Sequence, residues 1–495
     1  MRILQVVGVL NFGDAIGNDV IAKKHVIEDM GIQTAVYAQS VAPKVREPGC
    51  YTMDKFPKLQ PDDIVLYHLG DGSPLNPMVA ELHCRKIMVY HNITPYEFFA
   101  IDSPVAAESC RIGLEHMRSV MLGKFNGYIA DSAFNKQNMI DMGYKPQEIE
   151  VIPVCVPFDD YKQPADKTMV KRLSDGITNI VFVGRIAPNK KHEDIIRAFA
   201  YYKQHVNPKS RLILVGSANT TGMYYRDLME YIKELKVEDV VFPGHISFAE
   251  ILAIYQTAHV FLCMSEHEGF CVPLLEAMTF DVPIIAYDAC AVPETLGGSG
   301  IVVDDKDPVY LAHIMEAAAK NEALRAHIIS MQRQRLKHFE YAHIKEMLQD
   351  YLRRFIDKFP PVMPDDETQT ARRLYDVVAN NMQQSGGTMA FTEDALLHST
   401  RRTAEMADLT ALLNENLSVR GMIEAVYLSC FNRLPDAEGY AHWEAQAQQM
   451  ERTDFLRTLI SSAVNAENRN GMRIRFNPFT TAALPSEAEG GAAPA

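Results

Sequence analysis

The chain has 495 residues, 47% of them hydrophobic, and a formal net charge of −14. That length allows roughly three domains, and the hydrophobic share is that of a globular chain. The acidic balance excludes a general nucleic-acid or membrane-coating role.

Eight cysteines form neither a C-x-x-C pair nor a dense framework, so they read as reduced thiols of a cytosolic protein. The first apolar run, Ile3–Val7, is too short for a secretory signal, and no stretch of about 18 apolar residues is present to span a membrane. The expectation is a cytoplasmic protein, with peripheral attachment at the inner face of a membrane left open. Without a signal, the glycosylation sequon Asn92-Ile-Thr94 carries no weight.

Taken in chain order, short apolar runs predict strands at Ile3–Val7, Thr34–Tyr37, Ile64–Tyr67, Ile87–Tyr90, Tyr128–Ala130 and Ile149–Ile152, with helical stretches between them. Strands alternating with helices imply βαβ units and a parallel sheet, which takes ligands beyond the carboxyl ends of its strands. The first strand leads into Asn11-Phe-Gly-Asp-Ala-Ile-Gly-Asn-Asp19, where Gly13 and Gly17 turn the chain; this is not G-x-G-x-x-G. His68 and His91 fall at the ends of the third and fourth strands and face one crevice, although a structural role is the alternative for each. The polar stretch Phe158–Ser174 reads as an interdomain linker.

A second strand series follows at Ile180–Val183, Leu212–Val215, Val240–Phe242, Val260–Met264, Pro283–Tyr287 and Ile301–Val303. Its first strand enters Gly184-Arg-Ile-Ala-Pro-Asn-Lys-Lys191. There Arg185 offers a planar fork for phosphate oxygens and Lys190 a compact charge, unless the turn is merely solvated and basic. Its fourth strand enters Ser265-Glu-His-Glu-Gly-Phe-Cys-Val-Pro-Leu-Leu-Glu276. Glu268 then lies just past a strand end, while Pro273 suits the first position of a helix and Glu276 its first turn. Cys271 and Val272 are poor side-chain caps, which leaves the first N–H groups of that helix for an anion such as a phosphate. The alternatives are that Glu276 only complements the helix dipole and that Glu268 is a solvated loop acid.

Asp305-x-Asp307 has the spacing of a metal-binding pair, yet Asp307-Pro308 directly precedes a helical stretch, and a helix cap explains it better. No metal site is expected. Pro360-Pro-Val-Met-Pro-Asp-Asp-Glu367 breaks the pattern, after which spacing is helical from Thr368 to about Asn470; the small polar stretch from Leu484 to Ala495 reads as disordered.

Glu268 to Glu276 is similar to the E-x7-E signature, usually E-G-F-G-x-P-x-x-E, of the retaining GT-B glycosyltransferases of family 4. Gly184, Arg185 and Lys190 resemble that family's G-R-x-x-x-x-K. Val215-Gly-Ser217, Phe242-Pro-Gly244 and Glu276-Ala-Met278 with Val282-Pro283 extend the likeness over about residues 2–345. The departures are Lys191, Cys271 and Asp281, each where the family commonly has glycine. The resemblance implies a fold of two Rossmann-like α/β domains facing a cleft. It places Arg185 and Lys190 on the donor diphosphate, Glu268 on the sugar hydroxyls, with Gly269 and Phe270 beside it, and Glu276 on the ribose. His91 would lie near the anomeric carbon, and the loop of Gly13 and Gly17 near the diphosphate, with Asp14 and Asn18 toward the acceptor. Asn432 to Trp443 resembles the R-x-P-D-x-x-G-x-x-x-W core of a small bacterial helical module of unknown function.

The expected division is 1–160 and 161–345 for the two α/β domains, 346–360 for a helix crossing back onto the first, 366–475 for an all-α appendage and 480–495 for a disordered tail. The implied function is transfer of a sugar, with retention, from a nucleoside-diphosphate sugar of UDP or GDP type to a glycan, lipid-linked or protein acceptor. It would need no metal and would serve bacterial surface glycan synthesis. The appendage, standing apart from the cleft, would hold an acceptor, a partner protein or a membrane surface. A rival is a sugar-nucleotide-binding scaffold whose catalysis has lapsed. A nicotinamide-dependent dehydrogenase is disfavoured, because neither half has the glycine fingerprint with an acid about 20 residues on.

Overall fold

The computed structural model describes residues 1–364 apart from Phe12, Thr221 and His245, together with 406–408, 418–431, 435, 437–464, 466 and 473–475. The expected disordered tail and the helical spacing from Thr368 to Leu417 fall outside the described residues, apart from 406–408.

The first lobe is a seven-stranded sheet in the order β3-β2-β1-β4-β5-β6-β7, every pairing parallel. Its strands are β1 (Arg2–Leu10), β2 (Gln33–Val41), β3 (Cys50–Thr52), β4 (Ile64–Leu69), β5 (Arg85–Tyr90), β6 (Gly127–Ala130) and β7 (Ile149–Val151). Between them run α1 (Ala15–Asp29), α2 (Leu75–Glu81), α3 (Pro104–Ser119) and α4 (Ala133–Asp141). Strands β4, β5 and β6 are buried at every residue, as a sheet covered on both faces requires. The short edge strand β3 carries no extended apolar run, so periodicity gave no sign of it.

The second lobe opens with α5 (Lys167–Leu173) and has a six-stranded parallel sheet in the order β10-β9-β8-β11-β12-β13. These strands are β8 (Thr178–Val183), β9 (Ser210–Val215), β10 (Val240–Val241), β11 (Val260–Cys263), β12 (Ile284–Tyr287) and β13 (Ile301–Val303). Helices α6 (His192–Tyr201), α7 (Met223–Glu234), α8 (Phe248–Thr257), α9 (Val272–Thr279), α10 (Val292–Leu296), α11 (Pro308–Lys320) and α12 (Glu322–Leu336) cover it. Phe158–Ser174 is not a linker. Tyr161, Met169 and Leu173 are buried in the core of the second lobe, with Phe158 packed against it. Sparse apolar residues in an Asp/Lys-rich stretch hid a short helix that needs only one buried edge.

Both sheets reverse strand order at one place, between β1 and β4 in the first lobe and between β8 and β11 in the second. Ligands of open α/β sheets bind outside the carboxyl ends at such points. The motif loops that follow β1, β4, β8 and β11 therefore occupy the two places the topology favours.

Helix α13 (Tyr341–Lys358) returns to the first lobe, where Ile344, Leu348, Tyr351, Leu352 and Phe355 pack against Ile3, Ile64, Leu66, Ile87 and Ile129. It begins at Tyr341, five residues before the expected crossing helix. Beyond it, the Arg85 guanidinium donates to the Phe359 carbonyl at 3.1 Å, and Val362 N–H to the Pro61 carbonyl at 2.8 Å.

The appended module contains α14 (Val419–Phe431), α15 (Ala437–Ala447) and α16 (Arg452–Val464), whose core joins Ile423, Val426, Trp443, Leu456, Leu459 and Ile460. The short strands β14 (Met406–Asp408) and β15 (Arg473–Arg475) pair in parallel, which helical spacing did not anticipate. Ile101 of the first lobe packs against the module's core, so the module is docked on that lobe and does not stand apart. No helix among the described residues is long and apolar enough to cross a membrane.

Phe355→Ala should lower the unfolding free energy by about 3–5 kcal/mol, since it opens a cavity beneath a helix that covers the first sheet. Denaturant unfolding followed by circular dichroism measures this; a loss below about 1 kcal/mol would show that α13 contributes little to the first lobe.

Candidate active site

The cleft is built from the loops after β8 and β11 on one side and those after β1, β4, β5 and β6 on the other. In the loop after β8, Asn189 is buried and ties the two motif loops together. Its side-chain N–H donates to the His267 carbonyl at 3.1 Å, and its own carbonyl accepts from Glu266 N–H at 2.9 Å. This cross-brace sets the next side chain, Lys190, against Glu268, with Nζ to Oε1 at 2.6 Å. Burial works against the Lys190 ammonium, but Glu268 outweighs it and holds the lysine above its usual range. Lys190 and Glu268, both singled out from sequence, thus form one unit. Arg185 is exposed and reaches the other lobe, its guanidinium 5.6 Å from the centre of the Phe99 ring. Gly184, at the end of β8, accepts no added bulk nearby, because a Cβ on Gly216 would collide with its carbonyl oxygen.

Glu276 is the principal correction. Helix α9 begins at Val272, which puts Glu276 in its second turn and away from its amino end. Its carboxylate accepts from the hydroxyl of Tyr161 at 2.7 Å and from that of Tyr255 at 2.6 Å. Burial raises its pKa, while the two hydroxyls pull it down. The dipole alternative is therefore excluded by position. The Phe270 ring turns into the core against Phe339, centroids 5.6 Å apart, so any contact with a ligand falls to its backbone. Cys271 has φ of 70° and gives α9 no side-chain cap; Pro273 has no N–H and Leu274 N–H donates to the Cys271 carbonyl at 3.1 Å, so Val272 N–H is the one this end offers.

On the opposite side, Gly13 has φ of 81° in the loop after β1, and Asp14 caps α1 by accepting from Gly17 N–H at 2.6 Å. His91 does not present a free imidazole to the cleft. Its side chain is 2% exposed, with Nδ1 2.7 Å from Asp131 and Nε2 2.9 Å from Nδ1 of His68, which in turn meets Gln5 at 2.9 Å. Burial holds His68 well below the usual imidazole pKa. Asp71, at the end of the loop after β4, is pushed up to about 6 by burial.

The two sides touch. A Cβ on Gly269 would collide with Cβ of Asn92 and lie 3.2 Å from the His91 carbonyl oxygen, so only glycine permits this approach. Ser132 donates to the Gly269 carbonyl at 2.7 Å, and His267 meets the Asn92 side chain at 2.6 Å. The Glu294 carboxylate accepts from the N–H groups of Ala133 and Phe134, at 2.7 and 3.2 Å.

Asp307 caps α11, accepting from Tyr310 N–H at 2.8 Å, and Asp305 accepts from Asp307 N–H at 2.9 Å. Among the described residues, two other groups bring metal-ligating atoms within 4.8 Å of one another: Asp19, His68 and His91, and Cys263, Glu268 and Cys271. Lys23 already pairs with Asp19, and Lys190 with Glu268.

Residues 168–335 match the model of glycosyl transferases group 1. The match covers the motif residues from Gly184 to Glu276 and bears out their glycosyltransferase likeness. The D-inositol 3-phosphate glycosyltransferase of Segniliparus rotundus is 29% identical over 189 residues, which are 37% of this chain and 41% of that protein. The alignments span about two fifths of the length of the curated relatives matched. Among solved structures, Anabaena Alr3699/HepE in complex with UDP and glucose aligns with a TM-score of 0.54 at 17% identity, over 71% of this chain and 99% of that one. WaaG, a glycosyltransferase involved in lipopolysaccharide biosynthesis, gives 0.55 at 14%, over 70% and 99%. The two lobes have the GT-B fold. Sequence reasoning missed Asn189 and Tyr255 within the matched residues, Tyr161 just before them, and Asp131 and Asn92 across the cleft. Asp131 was findable, since it follows β6 as His91 follows β5; the tyrosines carried no local signal.

A buried acid with a raised pKa disfavours folding as it ionises. Since the folded pKa of Asp71 exceeds the unfolded one, stability should fall as pH rises from about 4 to about 6, by at most about 3 kcal/mol. Asp71→Asn should remove this dependence, gaining on the wild type across that window and running parallel outside it in urea titrations. Parallel curves throughout would mean that Asp71 is solvated.

Proposed function

We propose that the protein is a retaining glycosyltransferase of family 4. It moves a sugar from a UDP- or GDP-type donor to an acceptor hydroxyl, in the cytoplasm, in the synthesis of a bacterial surface glycan or glycoconjugate. The observation that carries this reading is the Lys190–Glu268 pair, at the strand-order reversal of the second sheet and beside the uncapped amino end of α9.

A diphosphate in this place would be held by Arg185, Lys190 and the amino end of α9. As the bond from the anomeric carbon to the diphosphate breaks, negative charge grows on the leaving oxygens and the sugar becomes oxocarbenium-like. Fixed donors stabilise that charge most in the transition state. Glu268 accepts from sugar hydroxyls. Glu276 accepts from the ribose, its direction fixed by Tyr161 and Tyr255. The acceptor oxygen attacks from the side the diphosphate leaves, so configuration is kept and no protein nucleophile is used. His91 acts through its backbone carbonyl, which faces Gly269, while its ring is held by Asp131 and His68. Contact between the lobes keeps water from the donor. The diphosphate charge is met without a metal ion.

With UDP-glucose and GDP-mannose as probes and EDTA present, Arg185→Ala or Lys190→Ala should lower turnover on the order of 10²–10³, the loss seen when one transition-state donor is deleted. Donor turnover, measured as released nucleoside diphosphate, that survives in both variants or vanishes in EDTA would overturn the assignment. No turnover with any donor would favour a binding scaffold.

Calorimetry separates the glutamates. Glu276→Gln should weaken binding of UDP or GDP itself, whereas Glu268→Gln should leave the bare diphosphate alone and weaken only the sugar-bearing donor. The reverse pattern would exchange their roles.

A further inference from the structure

Beside the donor site lies a pocket that three separated parts of the chain complete. Its walls are the loop containing Glu97, Phe98, Ile101 and Asp102 in the first lobe, Pro188 and Lys191 with the start of α7 in the second, and Arg457 on α16 of the appended module. It encloses about 530 Å³ of empty space, part of it open to solvent.

We propose that this pocket binds a neutral, hydroxyl-rich saccharide, with the appended module supplying one wall through Arg457. The chemistry of the lining selects the ligand class. Carboxylates of Glu97, Asp102, Glu193 and Asp227 outnumber the cations Lys191 and Arg457. Lys191 is already offset by Glu266 at 3.1 Å and by Glu193 at 3.6 Å. A phosphate or carboxylate ligand would therefore meet net repulsion. Hydroxyls suit the site, because each donates to a carboxylate, and the apolar face of a sugar ring lies against Phe98 and Met223.

Two of the carboxylates are held in place before any ligand arrives. Asp102 accepts from Tyr224 N–H at 2.7 Å, and Glu193 from the Tyr224 hydroxyl at 2.6 Å. The pocket also adjoins the donor site on two sides. Lys191 follows Lys190 directly, and the Phe98 ring lies 6.2 Å from that of His267, the residue before Glu268. A saccharide here stands beside the phosphate loop. Its assignment as the acceptor rests on the glycosyltransferase reading; its binding does not. Ile101, which packs against the module's core, lines the pocket together with Arg457.

The test is saturation-transfer NMR on the full chain with the methyl glycosides of glucose, galactose and mannose, and with glucose 6-phosphate as the charged comparator. At least one neutral glycoside should receive saturation. Arg457→Ala and Phe98→Ala should each weaken it by about fivefold, the loss of one contact. Ile101→Glu, which undocks the module, should do the same. UDP should raise the melting temperature of Arg457→Ala as much as that of the wild type. No signal from any neutral glycoside, an equal signal in Arg457→Ala and Phe98→Ala, or a stronger one from the phosphorylated sugar would overturn the proposal. Absence of a UDP shift in the wild type would instead count against the donor site, leaving the saccharide result to stand.

Discussion

The cleft depends on the carboxyl ends of two sheets meeting with almost no space between their backbones. Glu294 from α10 holds that contact by accepting two N–H groups at the amino end of α4, in the opposite lobe. A carboxylate capping a helix start is favoured both by the unsatisfied N–H groups and by the helix dipole, together about 1–2 kcal/mol. Gly269 is the second half of the constraint, since any side chain there would strike Asn92. With the two lobes in this register, Ser132, Asn92 and His267 fall within hydrogen-bonding distance across the cleft. Glu268, next to both Gly269 and His267, is positioned by the same contacts.

Lys191, Cys271 and Asp281 share a property that sequence comparison with the glycine pattern could not show. All three have left-handed backbone, with φ of 51°, 70° and 55°. The turns are therefore the ones glycine would make, built at a cost of roughly 1–2 kcal/mol each. Each side chain has an offset. Lys191 pairs with Glu266 and Glu193, Asp281 takes the Arg333 guanidinium at 2.7 Å, and the Cys271 thiol is buried beside Cys263. Cys271 accordingly packs its bulk into the core, with its thiol within 4.8 Å of Cys263 and of the Glu268 carboxylate. The departures change what stabilises the loops and leave their course intact.

The two sheets were legible because parallel strands buried on both faces are written as short apolar runs. The motif loops were legible because chemistry at a strand end has a local spacing. Glu276 shows where this stops. Its position in the chain was clear, yet its environment comes from Tyr161 and Tyr255, 115 and 21 residues away. Tyr161 lies in the stretch that composition marked as a linker. His91 was likewise legible at a strand end, while its ring partners, Asp131 and His68, come from neighbouring strands. Which groups a buried polar side chain meets is settled by the register of neighbouring strands, and no single stretch of sequence contains that.

That register leaves a chain of four polar side chains inside the first sheet, Gln5, His68, His91 and Asp131, and its hydrogen-bond logic is restrictive. The His68 ring stands between Gln5 and His91, and the His91 ring between His68 and Asp131, so each imidazole is held at both of its nitrogens. Burial keeps His68 well below the usual imidazole range, so its ring is neutral and one of its two nitrogens must accept. Asp19, whose carboxylate pairs with Lys23, also lies 3.9 Å from His91 Nε2 and ties α1 to the same chain. Turning the His91 ring toward the cleft would break two buried hydrogen bonds and leave their partners unsatisfied, at about 1–3 kcal/mol for each group stranded. The chain therefore anchors His91 from within the sheet and leaves its carbonyl facing Gly269, on the side of the cleft opposite Lys190.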